Sequence, residues 1–235
     1  MKRDICKPSL VDIHTHILPG IDDGPASVVD SLRLLYEEKR QGVTHIVLTP
    51  HFDMGEEKLE SFFARREEAY RALQEALRAE PALGELKLYK GAEVRYDPNM
   101  VFTSPDPLCI EGTRYMLLEL TNDYPFNVET TVNWLTSKGI TPIIAHAERY
   151  DYLRENKKLV QTLLEMGAIF QCNASAMLSP LRRRNVKKLQ RMGAVHIFAS
   201  DTHSVDKRPP LLGPLFERLK KRGLYYIANA RQVLD

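Results

Sequence analysis

Residues 12–25 read DIHTHILPGIDDGP, and the run LVDIH at 10–14 has the apolar, branched character of a short strand. In an extended chain, residues two apart share a face, so His14 and His16 would present two imidazoles to the same side. Two imidazoles so placed can take one metal ion between them. Asp22 and Asp23 follow in a Gly-rich turn, which brings carboxylates back toward the strand end. By itself a His-x-His strand is equally compatible with incidental surface polarity, so the rest of the chain has to decide.

Outward from that stretch, Val28, Leu32, Leu35 and Tyr36 recur at helical spacing, with Gly42 as a stop. VTHIVL at 43–48 reads as a buried strand that ends at Thr49-Pro50-His51. A charged helix is expected over 56–79 and a third strand, carrying Glu93, over 86–94. Residues 97–112 contain Pro98, Pro105 and Pro107 and read as an irregular excursion. Further strands are expected over 115–120, 140–145, 168–173 and 195–200. Helices are expected over 126–138, 157–166 and 181–192, with helical character again at 212–223 and 226–234.

Strand and helix alternate seven times, with no repeat and no linker, so one domain spanning 1–235 is expected, with parallel strands and right-handed crossovers. The polar residues choose between an open sheet and a barrel. His14, His16, His51, Glu93, Glu119, His146, Asp201 and His203 all fall at or just past strand C-terminal ends. A closed barrel gathers such ends round one mouth, whereas an open sheet spreads them along an edge. The fold class expected is therefore α/β, a distorted seven-stranded (β/α)7 barrel.

Composition excludes several classes. The 235 residues are 43% hydrophobic, enough for a sizeable core. A formal net charge of +2 favours neither nucleic acid nor an anionic membrane. The start, MKRDICKPSL, lacks the apolar centre of a secretory signal, and no apolar run reaches the about 18 residues that span a bilayer. Cys6, Cys109 and Cys172 are scattered, with no Cys-x-x-Cys, which fits a reduced cytoplasm.

Five of the seven histidines fall in the set of strand-end residues, with Asp23, Glu93, Glu119 and Asp201. Nine imidazole and carboxylate donors exceed what one ion takes, so two or three ions sharing carboxylates are expected. Nitrogen and oxygen donors without thiolates suit Mn2+, Fe2+ or Zn2+, with Co2+ or Mg2+ as further candidates. Clustered divalent cations commonly hydrolyse phosphate esters or amides. Arg149, three past His146, is the candidate for gripping phosphate oxygens bidentately, and Arg208 is the second. His45 and His196, inside strands, read as structural, as do Cys172 and Trp134. The basic residues of 182–191 read as a solvated helix face.

His-x-His, TPH, GAE, AHAER and SDTH together resemble the polymerase-and-histidinol-phosphatase (PHP) superfamily. DIHTHILPGIDDGP, LTPHF, GAEV, LLEL, AHAERY and ASDTHS…RPP are most similar to its branch of metal-dependent bacterial protein-tyrosine phosphatases. The resemblance implies a PHP-type barrel and three metals, usually manganese. His14, His16, Glu93 and Asp201 would hold the first; Glu93, Glu119 and His146 the second; Asp23, His51 and His203 the third. Arg149 would bind phosphate, with Asp23 and His203 also in the catalytic set and Arg208 beside the substrate. Ala147 departs from the family's usual proline, a change in the turn that presents His146 and Arg149. The implied substrate is a phosphotyrosine protein, a bacterial tyrosine kinase controlling capsular or extracellular polysaccharide. A small-molecule phosphatase, for example one acting on histidinol phosphate, and a metal-stabilised binding module without turnover are the alternatives.

Overall fold

The computed structural model describes residues 9–102 and 104–235; Cys6 lies outside them. Among the described residues, nine strands, all paired in parallel, fall into two sheets. β1 (Leu10–Thr15), β2 (Val43–Leu48) and β4 (Lys87–Lys90) make a three-stranded sheet in the order β1-β2-β4. β3 (His51–Phe52), β5 (Glu93–Arg95), β6 (Tyr115–Glu119), β7 (Thr141–Ile144), β8 (Ile169–Asn173) and β9 (Ile197–Ala199) make the other, in chain order.

The expectation of seven strands is corrected here, because a short β3 follows the expected 43–48 strand and the expected 86–94 strand is broken in two. Thr49-Pro50 separates β2 from β3, and Pro50 has no N–H to give a ladder. Gly91-Ala92 separates β4 from β5 at the matching place. The breaks are bridged by Gly91 N–H to Leu48 O at 2.9 Å and Glu93 N–H to Pro50 O at 3.0 Å. The first strand meets the residues just after the last one through an isolated parallel bridge, Thr15 with Thr202, and bonds around it. Asp201 N–H donates to His14 O at 3.0 Å, His16 N–H donates to Thr202 O at 2.9 Å, and Ser200 N–H reaches the Asp12 carboxylate at 3.1 Å.

Helices cover the outside: α1 (Val28–Arg40), α2 (Leu59–Leu77), α3 (Val128–Ser137), α4 (Asp151–Glu155), α5 (Lys157–Glu165), α6 (Ala174–Leu178), α7 (Arg183–Arg191), α8 (Leu212–Leu219) and α9 (Leu224–Gln232). α1 shows why they start and stop where they do. Ser27 Oγ accepts from Asp30 N at 3.2 Å, Asp30 complements the helix N-terminus, and Lys39 and Arg40 complement the other end. Gly42 follows with φ of 90°, a turn that a side chain resists. α2 begins at Leu59, three residues later than expected, and the excursion at 97–112 contains two short 3-10 turns, Pro98–Phe102 and Asp106–Leu108.

Two apolar clusters separate helices from site. The larger joins helices to the outer strand faces, with Leu34, Ile46, Phe62, Leu118 and Phe170 among its fully buried members. The smaller, with Val11, Ile13, Val47, Leu117, Ile143 and Ile197, lies between strands and is met by Ala230 and Val233 from the last helix and the turn after it. His45 stacks on Tyr89 and bonds Thr44, and His196 Nδ1 accepts from Phe170 N–H at 3.0 Å, so both are structural. Among the described residues no helix is long and apolar enough to cross a membrane.

Candidate metal centre

Glu93, at the first position of β5, is buried at the centre of four imidazoles. Its Oε2 lies 3.2 Å from His14 Nε2, 3.1 Å from His16 Nε2 and 3.2 Å from His51 Nδ1. Its Oε1 lies 2.8 Å from His146 Nε2. β1 delivers His14, and His16 follows it past an irregularity in the ladder between Asp12 and Thr15. His51 opens β3. His146 follows β7 at φ of 29°, and Asp201 follows β9 at φ of 54°, conformations that cost a non-glycine residue about 1–3 kcal/mol and that the surrounding bonds hold in place.

The outer nitrogens of these rings are occupied. His16 Nδ1 bonds Asp22 Oδ2 at 2.7 Å, His14 Nδ1 faces Gln171 Oε1 at 3.2 Å, and His146 Nδ1 faces the Tyr150 hydroxyl at 3.2 Å. The inner nitrogens therefore converge, and His14 Nε2 and His16 Nε2 stand 3.2 Å apart. Three sets of donor atoms lie within 4.8 Å of one another: His16, Asp23, His51 and His203; His14, His16 and Asp201; and His51, Glu93 and Glu119. Glu93 Oε2 and His203 Nε2 are buried without a hydrogen-bond partner. Lone pairs packed against each other and against carboxylates need a cation to reconcile them, so the donor set fits divalent metal.

All nine expected donors thus come together, although the grouping differs from that implied by the resemblance. His16 also belongs with Asp23, His51 and His203, and His51 also belongs with Glu93 and Glu119. His146 meets Glu93 as expected and lies 3.6 Å from Glu119 Oε1.

The charges are strongly coupled. Burial alone would raise the Glu93 carboxyl, but His14, His146 and His16 hold it well below the usual range. Burial and then the Glu93 charge push Glu119 up to about 7. Burial works against a charged His16, yet Asp22 and Glu93 push its imidazole up to about 10. The same bond draws Asp22, against its burial, down to about 2. Burial and the neighbouring His16 push His203 down to about 3.

Both expected phosphate-binding arginines reach the mouth, and both meet Asp201. Arg149 Nη2 donates to Oδ2, and Arg208 Nη2 donates to Oδ1 at 2.7 Å, with Arg208 Nη1 3.5 Å from Asp23. Their side chains are 39% and 37% exposed, so a ligand at the mouth can reach both. Arg149 sits in the tight turn Ala147–Arg149, which Ala147 closes from a fully buried position without the expected proline.

Sequence reasoning missed the supporting residues. Asp22 was visible only as a spare acid. Gln171 and Tyr150 carry no charge and match no ligand spacing; the available signal was a pair of polar residues, Gln171 and Asn173, alternating on an otherwise apolar strand.

Residues 10–231 match the family model described as capsular polysaccharide synthesis, CpsB/CapC. The tyrosine-protein phosphatase CpsB of Streptococcus pneumoniae is 31% identical over 96% of this chain and 98% of its own length. The tyrosine-protein phosphatase YwqE of Bacillus subtilis is 34% identical over 85% of this chain and 79% of its own. Crystal structures of YwqE and CpsB, described as unique metal-dependent tyrosine phosphatases, provide a chain that superposes with a TM-score of 0.84 at 30% identity, covering 96% of this chain and 94% of that one.

Proposed function

The chain belongs to the CpsB/CapC family of capsular polysaccharide synthesis, and from that membership we propose that it is a metal-dependent phosphatase of protein phosphotyrosine. The observation that carries the reading is the convergence of nine imidazole and carboxylate donors, Glu93 among them, with two half-exposed guanidiniums at the rim. We read His14, His16, Asp23, His51, Glu93, Glu119, His146, Asp201 and His203 as metal ligands, two or three ions in all, with Mn2+ preferred. Divalent cations held there supply Lewis-acid polarisation of phosphoryl oxygens and a readily deprotonated water.

The chain's own residues do the rest. Arg149 and Arg208 bind and orient the phosphate oxygens, exchanging part of their hold on Asp201 for the incoming anion. Asp22 and Tyr150 keep the outer nitrogens of His16 and His146 occupied, so their inner nitrogens stay directed at the site. Neither spare acid serves as a proton donor to a leaving group: Asp22 is held ionised by His16, and Glu148 is buried and turned to Asn173 N–H at 3.2 Å. A phenolate, with a pKa near about 10, leaves without such a donor, whereas an alkoxide needs one. The mouth is also open. Asp23 is 61% exposed, and the Arg149 and Arg208 side chains are partly exposed.

The physiological substrate we propose is a bacterial tyrosine kinase of polysaccharide synthesis, met in the cytoplasm. For the fold we count each broken pair, β2 with β3 and β4 with β5, as one stave, giving a distorted seven-stave barrel of the PHP type and one domain over 1–235. The bonds across the breaks and between β1 and the residues after β9 support that count.

The test compares kcat/KM for a phosphotyrosine peptide, a phosphoserine peptide and histidinol phosphate on one Mn2+-loaded preparation. The phosphotyrosine peptide is expected to be cleaved at least about a hundredfold faster, which corresponds to about 2.7 kcal/mol in the barrier. Equal or better efficiency on histidinol phosphate overturns the assignment in favour of a small-molecule phosphatase. No phosphate release from any substrate leaves a binding module.

A further inference from the structure

Strand β8 contributes none of the nine donors, yet two of its side chains reach them. Gln171 and Asn173 are two apart on an extended strand, so they share a face, and both are buried. Gln171 Oε1 accepts from the backbone N–H of His146 at 2.7 Å and from His14 Nδ1 at 3.2 Å. A backbone N–H can only donate, so it determines which end of the amide faces it; the flipped side chain would set donor against donor. With Oε1 committed, Gln171 Nε2 donates to Asn173 Oδ1 at 2.8 Å. That leaves Asn173 Nδ2 to donate to Asp201 Oδ2 at 2.7 Å. Asn173 also stands at the N-cap of α6, where an Asn side chain commonly accepts from the helix amides, but it makes no such bond. Its amide is used on Asp201 instead.

We propose that Gln171 and Asn173 are positioning residues, a directional amide relay that sets two metal ligands together: the tautomer of His14 and the carboxylate face of Asp201. The proposal rests on the reading of the cluster as a divalent-metal site. Because Gln171 Oε1 accepts, His14 carries its proton on Nδ1 and turns the Nε2 lone pair to the centre. Because Asn173 and Arg149 occupy Oδ2 of Asp201, it is Oδ1, which also accepts from Arg208 at 2.7 Å, that faces His14, His16 and His203, at 3.5, 3.7 and 3.6 Å. Partners of this kind are typically worth about 10–100-fold in metal affinity.

Gln171→Glu separates the relay from a local role. It keeps the acceptor for His14 and His146 and adds a negative charge, which alone would tighten cation binding. It deletes only the donor to Asn173, whose amide then turns its NH2 to Glu and its oxygen onto Asp201. Mn2+ titration by calorimetry should show binding weakened about tenfold, and the visible spectrum of the Co2+-loaded variant should shift, with the metal-free melting temperature near that of the wild type. Asn173→Ala, which removes the donor to Asp201 directly, should weaken Mn2+ to a similar extent. In the Asn173→Ala background Gln171→Glu should cause no further loss. Binding by Gln171→Glu as tight as the wild type, or a loss that persists in the Asn173→Ala background, overturns the relay. A wild-type chain that binds no divalent cation overturns the metal-site reading along with it.

Discussion

Glu93 is the residue on which the site turns, since its two oxygens meet four imidazoles carried by β1 and the residue after it, by β3, and by the loop after β7. Glu93→Ala should therefore release metal and abolish activity together, as read by elemental analysis and turnover on the same sample. His45→Ala should do neither, because His45 bonds Thr44 and stacks on Tyr89. Arg149→Lys keeps a charge but loses the planar fork. Its kcat/KM should fall about a hundredfold, comparable to the loss of one preorganised charge-stabilising donor, while bound metal stays constant. Near-normal turnover would move the phosphate-binding role to Arg208. Eight of the nine candidate donors were legible in the sequence because each is a His, Asp or Glu at or just past the end of an expected strand; Asp23 was legible from the Gly-rich turn that follows His-x-His. Their supports were not: an amide such as Gln171 or a phenol such as Tyr150 has no signature until the fold brings it within 3.2 Å of a ring.

At the scale of elements, the loop from His16 to Pro25 is tied to β1 by a close approach of backbone. A Cβ on Gly24 would lie 2.2 Å from His16 O, closer than any real contact allows. Gly24→Ala should push this loop off the strand end and carry Asp22 and Asp23 away from His16 and His51. The expected result is weaker Mn2+ binding, with urea denaturation showing a loss of about 1–3 kcal/mol. Unchanged metal affinity would mean that the loop can move without the site. The longer helices and most strands were legible because apolar spacing and glycine stops mark them, whereas the five-residue α4 and α6 are too short to show a period. The end of β2 at Thr49-Pro50 was legible too, but the resumption at His51–Phe52 and the break at Gly91-Ala92 were not, because only hydrogen-bond partners reveal where a ladder resumes or ends.

For the molecule as a whole, the join between its first and last strands contains two buried carboxyls. Asp12 on β1 accepts from Ser200 N–H, and Glu38 on α1 lies 3.4 Å from Ser200 Oγ. Burial raises Asp12 to about 6, and burial with the nearby Asp12 holds Glu38 well above the usual carboxylate range. An unfolded Glu titrates near about 4.3. Above that pH and up to its folded value, the folded chain holds more protons than the unfolded one, so stability falls as pH rises. Glu38→Gln removes that burden. Its melting temperature should exceed the wild type's at pH 8 by about 2–4 °C for each kcal/mol relieved, and the gain should vanish toward pH 4. A gain that is the same at both pH values would assign the effect to packing. The same join also governs when the protein becomes competent. Ser200 and Asp12 are separated by 188 positions in the chain, and each donor set that includes His16 with His203 or with Asp201 draws on both ends of the sequence. A nascent chain still lacking its last strand is short of His203 in one such set and of Asp201 in the other, and can complete neither. Contacts of such long range are slow to form, so these two donor sets are completed only once the chain has met its own beginning.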